Sequence, residues 1–320
     1  MKRSITVEEL LRTKERTLAL DLITPDIDLK RPIESATPSS PGLILAGFTD
    51  RSPRGRIQIL GETEIRYLES LSPESRREAL HTFFSIATPA VIVTKGLEIP
   101  VELVEEARCA DVPVISSQLK TGELYRRLQP YLEEQLAPAT TCHGSLADVY
   151  GVGLLFTGRS GIGKSECVLD LVERGHRVVA DDTVHITRRG NDVLIGRGLE
   201  LQGHHMEIRG IGIIDIKALF GIRAIRQQKR IEVVVQLEEW TATAHYDRTG
   251  LDVQEMEILG VRLPKVIMPL NAGKNLTVLS EVVAMNHLLK YTGTDSAKLF
   301  NERLMKAMKP LREYLEEDYE

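Results

Sequence analysis

The hydrophobic pattern of the first 135 residues combines two periods. Short apolar runs between turn residues are typical of buried strands, and apolar residues three and four apart are typical of amphipathic helices. The short runs predict strands at Leu43–Phe48, Ile57–Leu60, Ala90–Thr94 and Val112–Ser116. The helical spacing predicts helices at Glu62–Ser70, Pro73–Ile86, Val101–Cys109 and Thr121–Gln135. Strands separated by helices favour an α/β layer with a partly parallel sheet.

The pattern changes after residue 135, where apolar runs become more frequent. They predict strands at Val152–Thr157, Arg177–Ala180, Val193–Ile195, Leu199–Leu201, Ile231–Gln236 and Val266–Met268. Helical spacing predicts helices at Glu166–Glu173, Val282–Lys290 and Ser296–Met308. Pro310 is expected to begin a last, acidic helix.

The length of the chain, 320 residues, is too great for one ordinary core and suits two domains. The boundary is expected near Leu136-Ala137-Pro138, after a charged helix and before the strand Val152–Thr157. We therefore predict an α/β protein with an N-terminal α/β layer domain over residues 1–135 and a second domain over residues 136–320.

The composition, 42% hydrophobic and 27% charged, is that of a soluble globular protein. A net charge of −5 argues against non-specific nucleic-acid binding, because no basic stripe would neutralise phosphates. Cys109, Cys142 and Cys167 lack paired spacing, which favours a reducing compartment without a disulfide or zinc framework. No apolar N-terminal signal and no apolar run of about 18 residues occurs. We expect a cytoplasmic protein with no membrane or nucleic-acid partner.

One segment carries a specific chemical pattern, and we call it the glycine loop. It consists of Gly158, Arg159, Ser160, Gly161, Ile162, Gly163, Lys164 and Ser165. It matches the P-loop pattern at every defined position, and the predicted strand and helix around it argue against a glycine-rich turn without a ligand. Backbone N–H groups and a helix N-terminus surround the phosphates in such a loop. Lys164 would reach the β- and γ-phosphates of a nucleoside triphosphate, and the Ser165 hydroxyl would ligate Mg²⁺.

Two adjacent carboxylates, Asp181 and Asp182, follow the predicted strand Arg177–Ala180. Carboxylates at a strand end beside a P-loop hold the metal or activate a nucleophile, although an Asp pair is also common in turns and caps. The residues alone do not decide which of the two faces the phosphates. From its residue type and position alone, His143 in a turn is typical of a polar surface. Arg248 in a loop is also typical of a polar surface, and it is a candidate for contact with phosphate.

The segment His204–Ile216 contains two glycines two residues apart between isoleucines. With Glu207, Arg209 and Asp215 beside them, these glycines indicate backbone packed close to a ligand or another chain. The adjacent histidines are not expected to share a metal, since neighbouring side chains on a strand point to opposite faces.

The motifs together resemble one bacterial family, and the resemblance covers nearly the full length. The matching segments are Ile57–Gly61, Thr141–Gly144, Asp148–Gly153, Gly158–Glu166, Ala180–Asp182, Met206–Ile216 and Gly273–Leu276. They resemble the HPr kinase/phosphorylase family, for which the stretch Glu207–Ile216 is highly specific. The resemblance implies a regulator of carbon metabolism that uses ATP to phosphorylate a serine of HPr, the phosphocarrier of the sugar phosphotransferase system. It also implies that the same site removes that phosphate with inorganic phosphate, releasing pyrophosphate.

The resemblance implies roles for individual residues. The family's catalytic set matches His143, Lys164, Asp182 and Arg248, with Asp182 as the proton-transfer residue. The Mg²⁺ positions match Ser165 and Glu207, and Met206–Asp215 is similar to the stretch that the family needs in both directions. Family members are typically hexamers, so a homohexamer is expected. Their kinase domain resembles phosphoenolpyruvate carboxykinase, and the second domain is expected to share that fold.

One segment departs from the family pattern Pro-Val-Arg-Pro-Gly-Arg-Asn. This chain has Pro269-Leu270-Asn271-Ala272-Gly273-Lys274-Asn275, so Asn271 and Lys274 stand where the family has arginines. The family needs this loop mainly for dephosphorylation, and loss of a guanidinium fork weakens bidentate phosphate binding. Phosphorolysis is therefore expected to be slower, relative to kinase activity, than in relatives with both arginines. Arg159, where an acidic residue is common, adds a positive charge near the nucleotide.

Two other functions remain open. The first is a small-molecule phosphotransferase, with the first domain as substrate-binding module, which would consume ATP with a metabolite and need no protein acceptor. The second is a non-catalytic, nucleotide-sensing regulator, in which the glycine loop only switches conformation. Such a regulator would tolerate loss of Asp182 and Arg248.

Overall fold

The computed structural model describes residues 4–50, 54–199, 204–241, 251, 254–271 and 275–317, with side chains up to residue 308. The chain divides into two compact units, Met1–Pro138 and Ala139–Glu320. Each unit contains its own sheet and helices, so the predicted two-domain α/β architecture is confirmed.

The described residues of the first unit form a four-stranded sheet, a two-stranded sheet and helices. The strands are β1 (Ile5–Thr6), β2 (Leu20–Leu22), β3 (Pro32–Ile33), β4 (Gln58–Leu60), β5 (Val91–Val93) and β6 (Val114–Ser117). The helices are α1 (Val7–Leu18), α2 (Gly42–Leu45), α3 (Glu62–Ser70), α4 (Pro73–Phe84), α5 (Val101–Cys109) and α6 (Thr121–Leu136). The larger sheet has the order β2-β6-β5-β4, in which β4, β5 and β6 are parallel and β2 is antiparallel to β6.

Both faces of this sheet are covered by helices, as parallel strands require. On β5, Ile92 packs with apolar residues of α1 and α6 on one face. Val91 and Val93 point the other way and pack with residues of α2 to α5. The sheet is therefore the middle of three layers.

Most elements predicted for this unit are confirmed to within two residues. One predicted strand is wrong, and one helix was not predicted. Leu43–Phe48 is not a strand, because its first residues form α2. Ile44 and Leu45 of this helical turn are both buried and belong to the core that α3, α4 and α5 also line. Helix α1 was not predicted, although Thr6 and Glu9 form a capping box, a signal that the sequence contains.

The described residues of the second unit form two larger sheets, a hairpin and helices. The strands are β7 (Ala139–His143), β8 (Ser145–Val149), β9 (Val152–Thr157), β10 (Arg177–Ala180), β11 (Thr183–Arg189), β12 (Val193–Arg197), β13 (His205–Ile208), β14 (Gly212–Asp215), β15 (Gln228–Arg230), β16 (Val233–Glu239), β17 (Gln254–Ile258) and β18 (Val261–Leu270). The helices are α7 (Lys164–Glu173), α8 (Ile216–Phe220), α9 (Leu276–Tyr291) and α10 (Ser296–Glu317), and a 3₁₀ turn spans Ile222–Ala224.

The two sheets of the second unit pack against each other. The six-stranded sheet has the order β10-β8-β9-β16-β18-β17, with β9, β16 and β18 parallel at its centre. The antiparallel sheet has the order β15-β12-β11-β7. Leu146 and Leu155 of the first sheet share a core with Val184 and Ile186 of the second. The opposite face of the six-stranded sheet packs with α7, α9 and the β13–β14 hairpin.

The structure confirms some of the elements predicted for this unit and contradicts others. The buried strands β9 and β10 have the predicted bounds, and α7 begins two residues before the predicted start. The prediction that one helix ends at Met308 and another begins at Pro310 is wrong. Helix α10 continues through Pro310 to Glu317. Apolar residues recur at helical spacing on both sides of the proline, as Met308 and Leu311 illustrate. Leu199 has no strand geometry, and the rest of the predicted strand Leu199–Leu201 lies outside the described residues.

No helix in the described ranges is long and apolar enough to cross a membrane.

Helix α9 is fixed to the C-terminal end of α7 by a buried carboxylate. Glu281 of α9 is only 5% exposed. It accepts hydrogen bonds from Arg174 Nε at 2.9 Å and Nη2 at 2.7 Å, and His176 Nε2 lies 3.0 Å away. The hydrogen bonds from Arg174 are the largest cause that lowers the pKa of Glu281, from 4.5 to about 2. Glu281 therefore links the helix that leaves the glycine loop to α9.

The variant Glu281→Gln is expected to lower the free energy of unfolding by about 2 kcal/mol at pH 7, because charged hydrogen bonds are lost in a buried position. The folded-state pKa of Glu281 lies below the usual value, so its contribution is present above pH 4.5 and is lost as the pH falls towards 2. The difference between wild type and variant should shrink across that window. Urea unfolding followed by circular dichroism at several pH values measures it. Glu173→Gln, at an exposed position, is the control, and a difference that stays constant below pH 4.5 would contradict the prediction.

Candidate active site

The glycine loop connects a central strand to a helix. Strand β9 ends at Thr157 and α7 begins at Lys164. Gly163 adopts a φ of 100°, a conformation that strains other residues, so glycine is needed at the entry to the helix. Because β9 and β16 are parallel, the loop lies at the carboxyl edge of the sheet, where open α/β sheets bind ligands. The N-terminus of α7 gives this loop the geometry of an anion site.

Lys164 is buried, with 6% exposure, and spans the loop. Its ammonium group donates hydrogen bonds to the carbonyl oxygens of Gly158 and Arg159, each at 3.1 Å. The third contact of Nζ is His143 Nε2 at 3.4 Å. The lysine is therefore held between the loop and the imidazole.

The neighbouring strands β7 and β11 bring His143 to Asp182. Their antiparallel register pairs His143 with Thr183, and the Gly144 N–H donates to the Asp182 carbonyl at 3.0 Å. His143 Nδ1 then lies 3.2 Å from Asp182 Oδ1. Because a lysine can only donate, the neutral tautomer with the proton on Nδ1 satisfies both contacts of the ring. His143 thus accepts from Lys164 and donates to Asp182.

Asp182 combines an unusual backbone with an accessible side chain. Its φ of 62° is left-handed, which few residues other than glycine adopt, and such residues cluster at active sites. The side chain is 64% exposed. A carboxylate held on one oxygen by His143 and open to solvent can accept a proton from an incoming hydroxyl group.

Asp181 faces the glycine loop from the other side of the pair. Its Oδ1 accepts hydrogen bonds from Ser145 Oγ at 2.6 Å and from Ser165 Oγ at 3.0 Å. Burial is the largest cause that raises the pKa of Asp181 above its usual value. The sequence left open which of the two carboxylates faces the phosphates. In the structure both lie beside the loop, because Asp182 contacts the His143–Lys164 pair and Asp181 contacts the Ser165 hydroxyl. Sequence reasoning gave Asp181 no separate role and missed Ser145, because an isolated serine carries no signal.

The remaining candidates are less closely connected. Glu207 lies on β13 and is exposed, and it makes no hydrogen bond or ion pair with any described residue. The strand itself packs on α7 through Met206 and Ile208. Arg248 lies outside the described residues.

Arg159, the charge that the sequence adds to the glycine loop, has a carboxylate partner. Its guanidinium forms an ion pair with Glu239, the last residue of β16. Both side chains are exposed. The added positive charge is therefore balanced locally.

The donors near Ser165 suit a hard cation. A hydroxyl and carboxylates offer only oxygen ligands, the kind that Mg²⁺ takes together with phosphate oxygens and water. Ser165 Oγ and the Asp181 carboxylate are already within hydrogen-bond distance. Within the described ranges no three His, Cys, Asp or Glu side chains form a metal cluster by themselves.

Comparison with known proteins gives matches over most of the chain. The model of the HPr Serine kinase N terminus matches residues 5–132, and that of the HPr Serine kinase C-terminal domain matches residues 134–304. The HPr kinase/phosphorylase of Geobacillus kaustophilus (strain HTA426) is 45% identical over 300 residues, which are 93% of this chain and 96% of the relative. That of Listeria monocytogenes serotype 4a (strain HCC23) is 45% identical over 304 residues, 95% of this chain and 96% of the relative.

A solved structure is also similar. The Hpr(Ser) kinase/phosphatase from Coxiella burnetii is 34% identical, with a TM-score of 0.45, and the match covers 51% of this chain and 99% of that chain. The family models and the full-length relatives agree with the resemblance carried by the sequence motifs. The chain belongs to the HPr kinase/phosphorylase family of enzymes.

Proposed function

We propose that the chain transfers the γ-phosphoryl group of ATP to a serine of HPr, and that the same site removes this phosphate with inorganic phosphate, giving pyrophosphate. The observation that carries the proposal is the contact chain Asp182–His143–Lys164 beside the glycine loop. It supplies a proton acceptor next to a phosphate site. Membership of the family adds the acceptor protein and the reverse reaction.

ATP would bind with its phosphates in the glycine loop. The backbone N–H groups of residues 158–165 and the positive end of α7 would surround them. Lys164, now bonded to two loop carbonyls, would extend to the β- and γ-phosphates. Phosphoryl transfer depends mainly on such positioning and on neutralising charge.

Mg²⁺ would be held by Ser165 and Glu207 and would offset charge on the phosphate oxygens when bound. Asp181 would orient the Ser165 hydroxyl through the hydrogen bond already present and would accept hydrogen bonds from metal-bound water. The raised pKa of Asp181, caused by burial, would fall once a cation lies beside it. The carboxylate would thereby become part of a charged metal site.

Asp182 would take the proton of the target serine hydroxyl as its oxygen attacks phosphorus. His143 would keep Asp182 oriented through the Nδ1 contact. In the reverse direction protonated Asp182 would return the proton to the departing serine oxygen while phosphate attacks, since both directions share one transition state. Arg248 would stabilise the transferring group, as the family resemblance implies.

A protein acceptor is supported by exposed apolar residues in and after the β13–β14 hairpin. Ile211, Ile213, Leu219, Phe220 and Ile222 are 41% to 75% exposed, and they follow β13 along the chain. Clustered exposed apolar residues mark protein interaction surfaces. A phosphotransferase for small polar metabolites would not need them, and a nucleotide sensor would not need the Asp182–His143 pair. The HPr-directed function therefore accounts for more of the surface than either alternative.

The proposal includes the assembly and fold expected from the family. The second domain would share the fold of phosphoenolpyruvate carboxykinase, and the chain would form a cytoplasmic homohexamer. Helices α9 and α10 support association, because residues such as Val282, Leu289, Phe300 and Met305 are at least 47% exposed. Burial of such residues between copies would stabilise an oligomer.

Incubation of the protein with γ-labelled ATP, Mg²⁺ and HPr should transfer label to a serine of HPr. Addition of inorganic phosphate to the labelled product should then release labelled pyrophosphate. Mass spectrometry identifies the modified residue, and thin-layer chromatography identifies the pyrophosphate. Transfer to a small metabolite without HPr would support the phosphotransferase alternative instead, and nucleotide binding without any transfer would support the sensor.

The variant Asp182→Asn is expected to lower kcat about 10² to 10⁴-fold in both directions, because the amide cannot accept the serine proton. The Kd for ATP should change little, since Asp182 contacts His143 rather than the loop. Asp192→Asn, in the exposed turn between β11 and β12, is the matched control. Normal turnover of HPr by Asp182→Asn would remove the proton-transfer role.

The variant Asn271→Arg is expected to raise the ratio of phosphorolysis to kinase activity about tenfold, equivalent to one charge-assisted hydrogen bond. The gain should appear as a lower KM for inorganic phosphate. Asn271→Lys separates charge from fork geometry and should recover less of the effect. An unchanged ratio in Asn271→Arg would show that this position does not limit phosphorolysis.

A further inference from the structure

One carboxylate beside the glycine loop lacks a positively charged partner. Glu238 lies near the end of β16 and is half-buried. Its hydrogen-bond partner is Gln236, whose Nε2 donates to Glu238 Oε1 at 2.5 Å. The amide satisfies the oxygen but leaves the negative charge in place. Within the described ranges no cationic side chain pairs with Glu238, whereas its neighbour Glu239 is paired with Arg159.

The backbone fixes Glu238 close to the first residue of the loop. Strand β16 runs parallel to β9, and their register pairs Gln236 with Thr157. A Cβ atom built on Gly158 would come 2.6 Å from the Leu237 carbonyl oxygen, so glycine is needed for the two backbones to lie this close. Because this approach involves main-chain atoms of neighbouring strands, Glu238 is anchored at the level of the loop.

Strand alternation directs Glu238 to the side of the sheet that carries the Asp182–His143 pair. Leu237 packs in the core with α7 on one face. Val234 packs on the other face, in the core shared with β11. Since successive residues of a strand point to opposite faces, Glu238 lies on the side of Val234. The sheet of β7 and β11, which brings His143 to Asp182, covers that same side.

Glu238 also lies beside the strand that leads to the segment expected to serve dephosphorylation. The parallel register pairs Glu238 with Pro269 of β18. Asn271, which stands where the family pattern has an arginine, follows two residues later. An arginine there would offset the charge of Glu238, and an asparagine cannot. The chain therefore has a carboxylate of full charge between the glycine loop and a position that lacks a cation.

We propose that Glu238 is a specificity-determining residue that weakens the binding of inorganic phosphate and so favours phosphorylation over phosphorolysis. This role rests on the proposed function. In the reverse reaction an oxygen of inorganic phosphate forms a bond to the phosphorus of phosphoserine. The bond from that phosphorus to the serine oxygen breaks, and the serine oxygen takes the proton of Asp182. Glu238 exchanges no proton and acts only through its charge.

Inorganic phosphate is more sensitive to this charge than ATP. It would enter the glycine loop as a free anion that carries its charge on one phosphorus centre and has no other group to hold it. The bridging phosphates of ATP carry less charge each, and the rest of the nucleotide adds contacts of its own. Repulsion by one carboxylate therefore raises the Kd for inorganic phosphate more than the Kd for ATP.

The test replaces Glu238 by glutamine, which keeps the shape and can still accept the hydrogen bond from Gln236. Displacement of a fluorescent ATP analogue gives the Kd for inorganic phosphate without HPr, and steady-state assays give KM and kcat in both directions. We expect the Kd and KM for phosphate to fall about fivefold in Glu238→Gln, while KM for ATP, kcat of the kinase reaction and Tm stay near wild type. The gain in phosphate affinity should shrink as added salt screens the charge.

Two further variants separate charge from shape and position. Glu238→Asp keeps the charge and should bind phosphate like wild type. Glu257→Gln removes an exposed carboxylate of β17, which pairs with Arg262 near the start of β18. The register of the parallel strands puts that start at the opposite edge of the sheet from the loop, so the Kd for phosphate should not change.

A change of less than about twofold in the phosphate Kd of Glu238→Gln would overturn the proposal. So would an equal gain in Glu238→Asp, which would indicate shape rather than charge, or a loss of kcat in both directions, which would indicate a part in the transfer itself. Wild type is assayed with HPr in parallel. Its failure to label HPr would overturn the proposed function alone, because the displacement measurement requires no HPr.

Discussion

The contact of one imidazole with a lysine and a carboxylate is the interaction on which the site depends. His143 lies 3.4 Å from the Lys164 ammonium and 3.2 Å from Asp182. With the ring proton on Nδ1, the imidazole accepts from the lysine and donates to the carboxylate, so one side chain holds both groups. The same contact joins the strand pair β7–β11 to the start of α7. A shift of one residue in the register of that pair would turn His143 to the opposite face and separate the carboxylate from the phosphate loop.

Helix α7 connects the glycine loop to other elements of the second unit. Its first residue, Lys164, belongs to the loop, and Cys167 and Val168 pack in the core with Met206 and Ile208 of β13. Beyond its last turn, Arg174 contacts Glu281 of α9. One helix therefore carries the loop lysine and also packs against the β13–β14 hairpin. Phosphoryl transfer depends mainly on the positions of the reacting groups. The many contacts around this short loop hold those groups in place.

The sequence correctly predicted those elements that depend only on a local pattern of residues. The loop with its flanking strand and helix could be read directly, because glycine spacing and buried apolar runs are local signals. The contact between His143 and Asp182 could not, since it depends on the long-range pairing of β7 with β11, and β7 has little apolar pattern. Asp181 and Ser145 illustrate the same limit.

Charge around the loop also limits what Arg159 can contribute to the reverse reaction. Phosphorolysis must bind inorganic phosphate beside the phosphoserine group, so cations near the loop reduce the repulsion between two anions. The loss of an arginine at Asn271 would be offset if Arg159 supplied a new positive charge. Arg159 is less suited to this, because its guanidinium is paired with the Glu239 carboxylate. Even if phosphate drew the guanidinium away, the carboxylate would remain and repel the same anion. Lys164, held by two loop carbonyls, is the described loop cation that has no carboxylate partner, so we expect the effect of Asn271 on phosphorolysis to persist in the presence of Arg159.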